Sequence, residues 1–174
     1  MNGNVLADKT VQYEVFIEGE RKLGTASATL MEASYKTDTF TGAGVLGEID
    51  MPTYGFTSSA ELKLAWHTVN DTLVDLLAPK AHDLELRAAV QTRDTATGII
   101  KMRKIKVNVR GLTKGSNFGS LEPAAQNDAE TTMELLYYKI TIDDKKYMEV
   151  DKDNYIFYVN GKDYAADIRD ALGL

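Results

Sequence analysis

Residues 136–142 read Leu-Tyr-Tyr-Lys-Ile-Thr-Ile, and residues 105–109 read Ile-Lys-Val-Asn-Val. In both stretches every second side chain is apolar, which is the period of a β-strand with one covered face. The same alternation predicts further strands over residues 11–17, 62–66 and 84–90, with weaker candidates at 27–31 and 146–150. Residues 155–159 (YIFYV) are apolar at every position, so we expect this strand to be covered on both faces.

Two short helices interrupt the predicted strands. The first is expected over residues 71–78, where Asn70 supplies an N-cap oxygen and Pro79 ends the helix. Neither helix is placed to connect parallel strands in a repeated β–α–β unit. With seven or eight strands, the sequence therefore predicts a mainly antiparallel β-sandwich or barrel with two short helices.

The second helix is expected over residues 163–172. Asp163 is placed to cap its start, and Gly173 stands where glycine commonly ends a helix. Apolar residues at i, i+4 and i+8 form one stripe that should pack on the sheet. These stripe residues are Tyr164, Ile168 and Leu172.

Composition excludes several classes of function. The chain has 174 residues, a net charge of −6 and no cysteine, so one domain over residues 1–174 is expected, without disulfides or thiolate metal sites. An acidic chain lacks the basic surface with which proteins grip duplex DNA, but it could still let DNA pass.

No apolar run approaches the roughly 20 residues of a membrane helix, and residues 1–15 contain no signal-peptide core. We therefore expect no stable membrane insertion.

Motifs for catalysis or cofactor binding fail in their context. Residues 42–47 (GAGVLG) match the dinucleotide motif G-x-G-x-x-G, which requires a buried strand before it and a helix after it. Polar residues precede this motif and Pro52 follows it, so a hairpin tip is the better interpretation. His67 and His82 lack metal-ligand spacing and are interpreted as surface or strand-end residues. The sequence predicts neither an enzyme nor a cofactor.

Two segments and one charged cluster indicate contacts between molecules. Residues 35–56 and 113–131 lack a strong period, and we expect them to be arms that become ordered on a neighbouring subunit. Within the first arm, the predicted contact residues are Thr39, Phe40, Gly42, Gly44, Val45, Leu46 and Gly47. A basic cluster is either a solvated strand face or a contact with acids of an adjacent subunit or outer layer. Its members are Lys101, Arg103, Lys104 and Lys106.

The C-terminal third carries a more specific pattern. Its successive segments are YYKITID at 137–143, EVD at 149–151, FxVxGxD at 157–163 and RxALGL at 169–174. In this order and spacing they resemble the closing signature of the major tail tube proteins of contractile phages and phage-tail-like bacteriocins. Residues 42–51 (GAGVLGEIDM) and 109–111 (VRG) are similar to earlier segments of that family.

The resemblance implies a structural role. It also implies an antiparallel β-sandwich or half-barrel core with two short flanking helices, whose strands complete a barrel across the subunits of a ring. It implies rings of six subunits, stacked into a hollow tube inside a contractile sheath, that conduct DNA or open a membrane-puncturing channel. The implied partners are further copies of the chain, the sheath, baseplate, tape-measure and terminator proteins, and DNA in transit without specific binding. The implied location is a virion or phage-tail-like particle assembled in the host cytoplasm. A tube protein resembling that of type VI secretion, which delivers effectors, is the alternative.

A bore that conducts DNA places a condition on its charges. Neutralising several phosphates with basic side chains would bind DNA tightly at low salt. We therefore expect acids on the wall of the bore, and the candidate residues facing the lumen are Glu48, Asp50 and Glu61.

Overall fold

The computed structural model describes residues 5–22 and 24–174, so Leu23 and the first four residues of the predicted domain lie outside the described residues. All strand pairs in this part of the chain are antiparallel, which confirms the predicted fold class. The elements in chain order are β1 Val5–Ile17, β2 Glu20–Lys22, β3 Thr25–Thr29, β4 Tyr35–Phe40, β5 Ile49–Thr57, β6 Glu61–Trp66, α1 Asp71–Asp75, β7 Ala81–Asp94, β8 Ile100–Asn117, β9 Ala129–Ile142, β10 Lys145–Asp151, β11 Ile156–Val159, β12 Lys162–Asp163 and α2 Ala166–Leu172.

Strand β9 is the branch point of the main sheet. One edge of β9 pairs with β8 along nearly its whole length. The other edge pairs with β6 over residues 129–134 and with β10 over residues 137–142. The main sheet therefore runs in the order β12-β11-β10-β9-β8-β7-β1-β2, with β6 and β3 branching from β9, while β4 and β5 form a separate hairpin.

Side chains from the branches of the sheet pack into one core. On β6 the alternation of residues is reproduced in burial, since Leu62, Leu64 and Trp66 are buried while the residues between them are not. Leu84 and Leu86 on β7 join the same cluster. The alternation over residues 11–17 predicts a buried Val11, but this residue is 53% exposed in the middle of β1 and lies outside the core.

The prediction that residues 155–159 are covered on both faces is wrong. Strand β11 begins at Ile156, and Tyr155 lies in the preceding turn with φ 52° and an exposed side chain. Of the four strand residues only Phe157 is buried. The short strands β10, β11 and β12 form one margin of the sheet, so β11 packs only one face on the core.

Both helices are shorter than predicted. Helix α1 ends at Asp75, although Asn70 caps its start as expected by accepting a hydrogen bond from the Leu73 amide at 2.9 Å. Helix α2 begins only at Ala166, so the prediction that Asp163 is its N-cap is wrong. The carboxylate of Asp163 instead accepts hydrogen bonds from the amides of Phe157 and Ala165 at 3.1 and 3.0 Å. Asp163 therefore ties the turn before α2 to β11.

The two segments without a strong period contain more strand than expected. Most of residues 35–56 form the hairpin β4–β5. Strand β8 continues to Asn117 and β9 begins at Ala129, so only residues 118–128 of the second segment lie between strands. The pairing of β8 with β9 shifts register between Thr113 and Gly115, and such a shift breaks the period-two pattern that sequence reasoning follows.

Candidate assembly surfaces

The base of the hairpin β4–β5 is fixed to the body of the subunit. The Ser58 amide donates to the Ser34 carbonyl at 2.9 Å. The rings of Tyr35 and Phe157 meet edge to face with centroids 5.6 Å apart. Gly55 has φ 69°, and a Cβ added there would lie 2.8 Å from Cδ1 of Ile168. The hairpin therefore starts from a closely packed contact with β11 and α2.

Beyond its base the hairpin has two chemically different faces. Directly opposed residues in an antiparallel pair share one face. One face carries Thr39 and Asp50, whose side chains form a 2.8 Å hydrogen bond. The other, which we call the apolar hairpin face, consists of the opposed pairs Phe40 with Ile49 and Asp38 with Met51.

The residues of the glycine-rich motif form the hairpin tip. Gly44 and Gly47 have φ values of 95° and 105°, in the left-handed region that favours glycine. The side chain of Leu46 projects fully into solvent. Because a strand and no helix follows this motif, its geometry differs from that of a dinucleotide-binding loop. Whether the tip contacts another subunit stays a prediction.

The three candidate lumen residues lie on two different sheets. Glu48 and Asp50 are exposed on the hairpin. Glu61 begins β6 of the main sheet, on the face opposite the core, where its carboxylate accepts a 2.6 Å charged hydrogen bond from Lys114. Their orientation toward a bore stays a prediction.

The basic cluster does not occupy a single strand face. Lys101 and Arg103 point to the same side of β8 as the buried Val107, while Lys104 and Lys106 point to the opposite side. Three members already have carboxylate partners within the chain. The pairs are Arg103 with Asp143 at 2.8 Å, Lys104 with Asp144 at 3.8 Å and Lys106 with Glu85 at 3.9 Å.

Strands β1, β7 and β8 extend past the end of β9. Pairing between β8 and β9 starts at Ile105, whereas β8 continues beside β7 to Ile100 and β7 continues beside β1 to Asp94. Strand β2 covers only residues 15–17 of β1. Among the described residues, the outer edge of β1 is therefore open from residue 5 to residue 13.

One face of this three-stranded end is both apolar and basic. Ile100 and Met102 are 56% and 58% exposed on the side of β8 that faces away from the core. The sequence analysis did not single out these two residues, although β8 carries a signal for them. Its apolar side chains lie at even positions up to Met102 and at odd positions from Ile105, which indicates that the covered face of the strand changes there. We call this surface the apolar–basic face, and its residues are Arg93, Ile100, Met102 and Lys104.

A polar network joins the hairpin connection to the main sheet. The Glu134 carboxylate on β9 accepts hydrogen bonds from the Ser59 hydroxyl at 2.5 Å and the Lys152 ammonium at 2.9 Å. Partial burial raises the pKa of Glu134, but these two hydrogen bonds, the charge of Lys152 and a hydrogen bond from the Ala60 amide together hold the pKa below its ordinary value. Glu134 thus links β9 to the segment before β6 and to the end of β10.

The apolar stripe predicted for the last helix is only partly packed. Tyr164 and Ile168 pack against the core, although Tyr164 precedes α2. The side chain of Leu172 is 56% exposed. The two histidines lie at strand ends as predicted, with His67 exposed and His82 buried beside the Ala78 carbonyl.

The described part of the chain contains no group of three or more His, Asp or Glu side chains able to hold a metal ion. Within the same residues, no helix has the length and apolar character needed to cross a membrane.

Comparison with known proteins agrees with a role in assembly. The family model described as phage tail tube protein FII matches residues 8–173. The chain belongs to this tail tube family. The tail tube protein of Escherichia phage P2 is 26% identical over 170 residues, covering 92% of this chain and 94% of that protein. This tail tube protein is therefore a structural subunit and not an enzyme.

The tail tube fold also matches solved structures at low identity. The sheath/tube terminator of an extracellular contractile injection system (PVC) has a TM-score of 0.53 at 15% identity, covering 75% of this chain and 94% of that one. The sheath–tube complex of the same system gives a TM-score of 0.52 at 16% identity, covering 75% and 88%. At this identity the likeness concerns the fold alone.

Proposed function

We propose that copies of this tail tube subunit close into rings, expected to be hexameric, which stack into a hollow tube inside a contractile sheath. The observation that carries the proposal is the open edge of β1 over residues 5–13. An unpaired strand edge is a template for pairing, and closing a barrel across subunits removes it. Head-to-tail contacts of this type form rings when the rotation between subunits closes.

The tube would be a conduit for DNA that does not bind the DNA. The similarity to a phage tail tube protein supports DNA as the cargo. Acids at the candidate lumen positions Glu48, Asp50 and Glu61 would repel phosphates and leave DNA free to slide. The proposed protein partners are the sheath, terminator, baseplate and tape-measure proteins of a virion or tail-like particle assembled in the host cytoplasm. Copurification with sheath and baseplate would support this context over a type VI-like one.

Deletion of residues 1–10 tests ring closure through β1. Residues 5–10 are all exposed, so the truncated subunit should still fold, while the outer edge over this stretch moves back from β1 to residues 90–94 of β7. We expect the full chain to form rings or tubes in negative-stain images, and the truncated chain to remain monomeric on a sizing column. Leu6→Thr is the matched control, because it changes an exposed side chain and retains the backbone edge. Rings formed by the truncated chain would contradict closure through β1.

A further inference from the structure

We propose that Glu85 prevents the wall of the bore from binding DNA, because it holds the side chains of Arg87 and Lys106 in ion pairs within the subunit. This inference rests on the proposed tube and its role as a conduit. It goes further by assigning the charge balance of the wall to one carboxylate of the main sheet.

One face of β1, β7 and β8 packs on the core of the subunit. It carries Val15, Leu86 and Val107, so the second layer of the fold lies on that side of the strands. In the proposed ring these strands form a barrel closed through the edge of β1, and a layer on the inner side would fill that barrel. The layer therefore lies outside, and the opposite face of the strands forms the wall of the bore.

The opposite face of these strands is polar, and we call it the charged sheet face. Its central residues are Glu85, Arg87, Lys106 and Asn108. Glu85 is directly opposed by Asn108, and Arg87 is directly opposed by Lys106, so the four side chains project from one side of the sheet. The side chains of Arg87 and Lys106 are 53% and 41% exposed, so DNA in the bore could reach both cations.

The carboxylate of Glu85 collects the donors of this face. It accepts hydrogen bonds from Nδ2 of Asn108 at 2.7 Å and from Nε of Arg87, and Nζ of Lys106 lies 3.9 Å away. Partial burial raises the pKa of Glu85, but these hydrogen bonds and the charge of Lys106 hold the pKa below its ordinary value. The guanidinium of Arg87 also stacks on the Phe16 ring, 4.0 Å from its centroid. Both cations are therefore drawn toward the sheet and away from the bore.

Paired cations matter because the subunit is repeated along the tube. A free cation in every copy would neutralise phosphates and bind DNA tightly at low salt. Glu85 is 21% exposed, so its ion pairs are less open to competing phosphates than a pair on the fully solvated surface. Further cations of the main sheet also have partners within the chain, namely Arg110 with Asp83 at 2.8 Å, Lys114 with Glu61 at 2.6 Å and Lys152 with Glu134 at 2.9 Å. A wall of paired charges can let DNA slide without a large excess of acids.

Glu85→Gln tests the proposal, because it keeps the shape of the side chain and removes the charge that holds Arg87 and Lys106. Tubes are assembled with short labelled duplex DNA, treated with nuclease to remove DNA outside them, and pelleted. We expect unmodified tubes to protect little DNA and Glu85→Gln tubes to protect severalfold more. Because two cations are released, the excess should fall about tenfold as salt rises from about 50 to about 200 mM. Glu18→Gln is the matched control, since it releases Lys80, in the turn after α1, from a 2.9 Å pair.

Two further variants test the same balance of charge. Asn108→Lys leaves the carboxylate in place but adds a third cation, which one carboxylate cannot neutralise, so it should also raise the amount of protected DNA. Adding Arg87→Gln to Glu85→Gln removes one of the two released cations and should abolish much of the excess. If Glu85→Gln does not assemble, the Asn108→Lys tubes decide the question.

The outcomes separate this inference from the proposed tube. If tubes form and the variants at Glu85 and Asn108 protect as little DNA as Glu18→Gln, Glu85 does not control the wall and the inference is wrong while the tube stands. Extra DNA that nuclease removes would place the charged sheet face outside the tube, which also overturns the inference. If the unmodified chain forms neither rings nor tubes, the proposed function fails and this inference fails with it.

Discussion

At the scale of single residues, one buried hydrogen bond shows how the core accommodates polar atoms. The indole Nε1 of Trp66 donates to the Thr131 hydroxyl at 3.0 Å, and the Ser116 hydroxyl lies 3.0 Å from the same oxygen. Both Trp66 and Thr131 are essentially inaccessible to water. The alternation around Trp66 predicts its burial, but no local signal identifies Thr131, which is 65 positions away along the chain.

Thr131→Val should weaken the subunit through that hydrogen bond. Valine keeps the shape but leaves the indole donor buried without an acceptor, so we expect the unfolding free energy to fall by about 1–3 kcal/mol. Urea unfolding followed by fluorescence measures this directly, since Trp66 is the single tryptophan. Thr132→Val on the same strand changes a half-buried hydroxyl and is the control. Equal stabilities of the two variants would contradict the role assigned to Thr131.

At the scale of elements, the last helix contacts the core through only part of its predicted apolar stripe. Its stripe predicts contact with the sheet, and Ile168 packs on the core and against Gly55. An ion pair between Arg169 and Asp163 at 2.6 Å holds the helix near the turn that precedes it. Leu172 in the last turn of α2 is 56% exposed, so the stripe packs only through its first two members.

Ile168→Asp should therefore destabilise the fold while Leu172→Asp should not. The first substitution places a carboxylate in a partly apolar contact, and we expect a loss of about 2 kcal/mol or more in unfolding free energy. The second lies at an exposed position and should change stability by less than about 0.5 kcal/mol. Thermal melts of the two variants beside the unmodified chain decide this. Equal melting temperatures for both variants would show that the stripe is not packed.

At the scale of the whole molecule, carboxylates link the branches of the sheet. Partial burial raises the pKa values of Glu149 and Asp163, but hydrogen bonds and neighbouring cations outweigh burial and lower both pKa values. Lys146 and Tyr137 donate to Glu149, and Arg169 donates to Asp163. Together with Glu134, these acids connect β9, β10 and the start of α2.

The stability of the subunit should fall in acid because these carboxylates have lower pKa values in the folded state. A group with a lowered folded pKa favours folding above its unfolded pKa, and this contribution is lost as the pH falls through the folded pKa. We expect the loss to begin near the ordinary glutamate value of 4.5 and to continue below it. Urea midpoints measured from pH 7 to pH 3 test this for the unmodified chain. Glu134→Gln should flatten the profile, and an unchanged profile would contradict its role.

Glu130→Gln is the control for the pH profile. It removes an exposed carboxylate from the same strand without breaking the network at Ser59 and Lys152. The control should keep the acid dependence of the unmodified chain.

Sequence by itself determined the class of fold, because alternation over β6, β7, β8 and β9 is local information written along each strand. It also indicated the family, through the resemblance carried by the ordered segments of residues 137–174. It also located the hairpin tip, since glycine marks positions where the backbone turns in the left-handed region. Only the tertiary structure decided which exposed residues share a surface. The face that carries Ile100 and Met102 depends on where β9 ends beside β8, and the two hairpin faces depend on cross-strand register. Both are pairings between distant segments, and the side-chain period along one strand does not specify its partner.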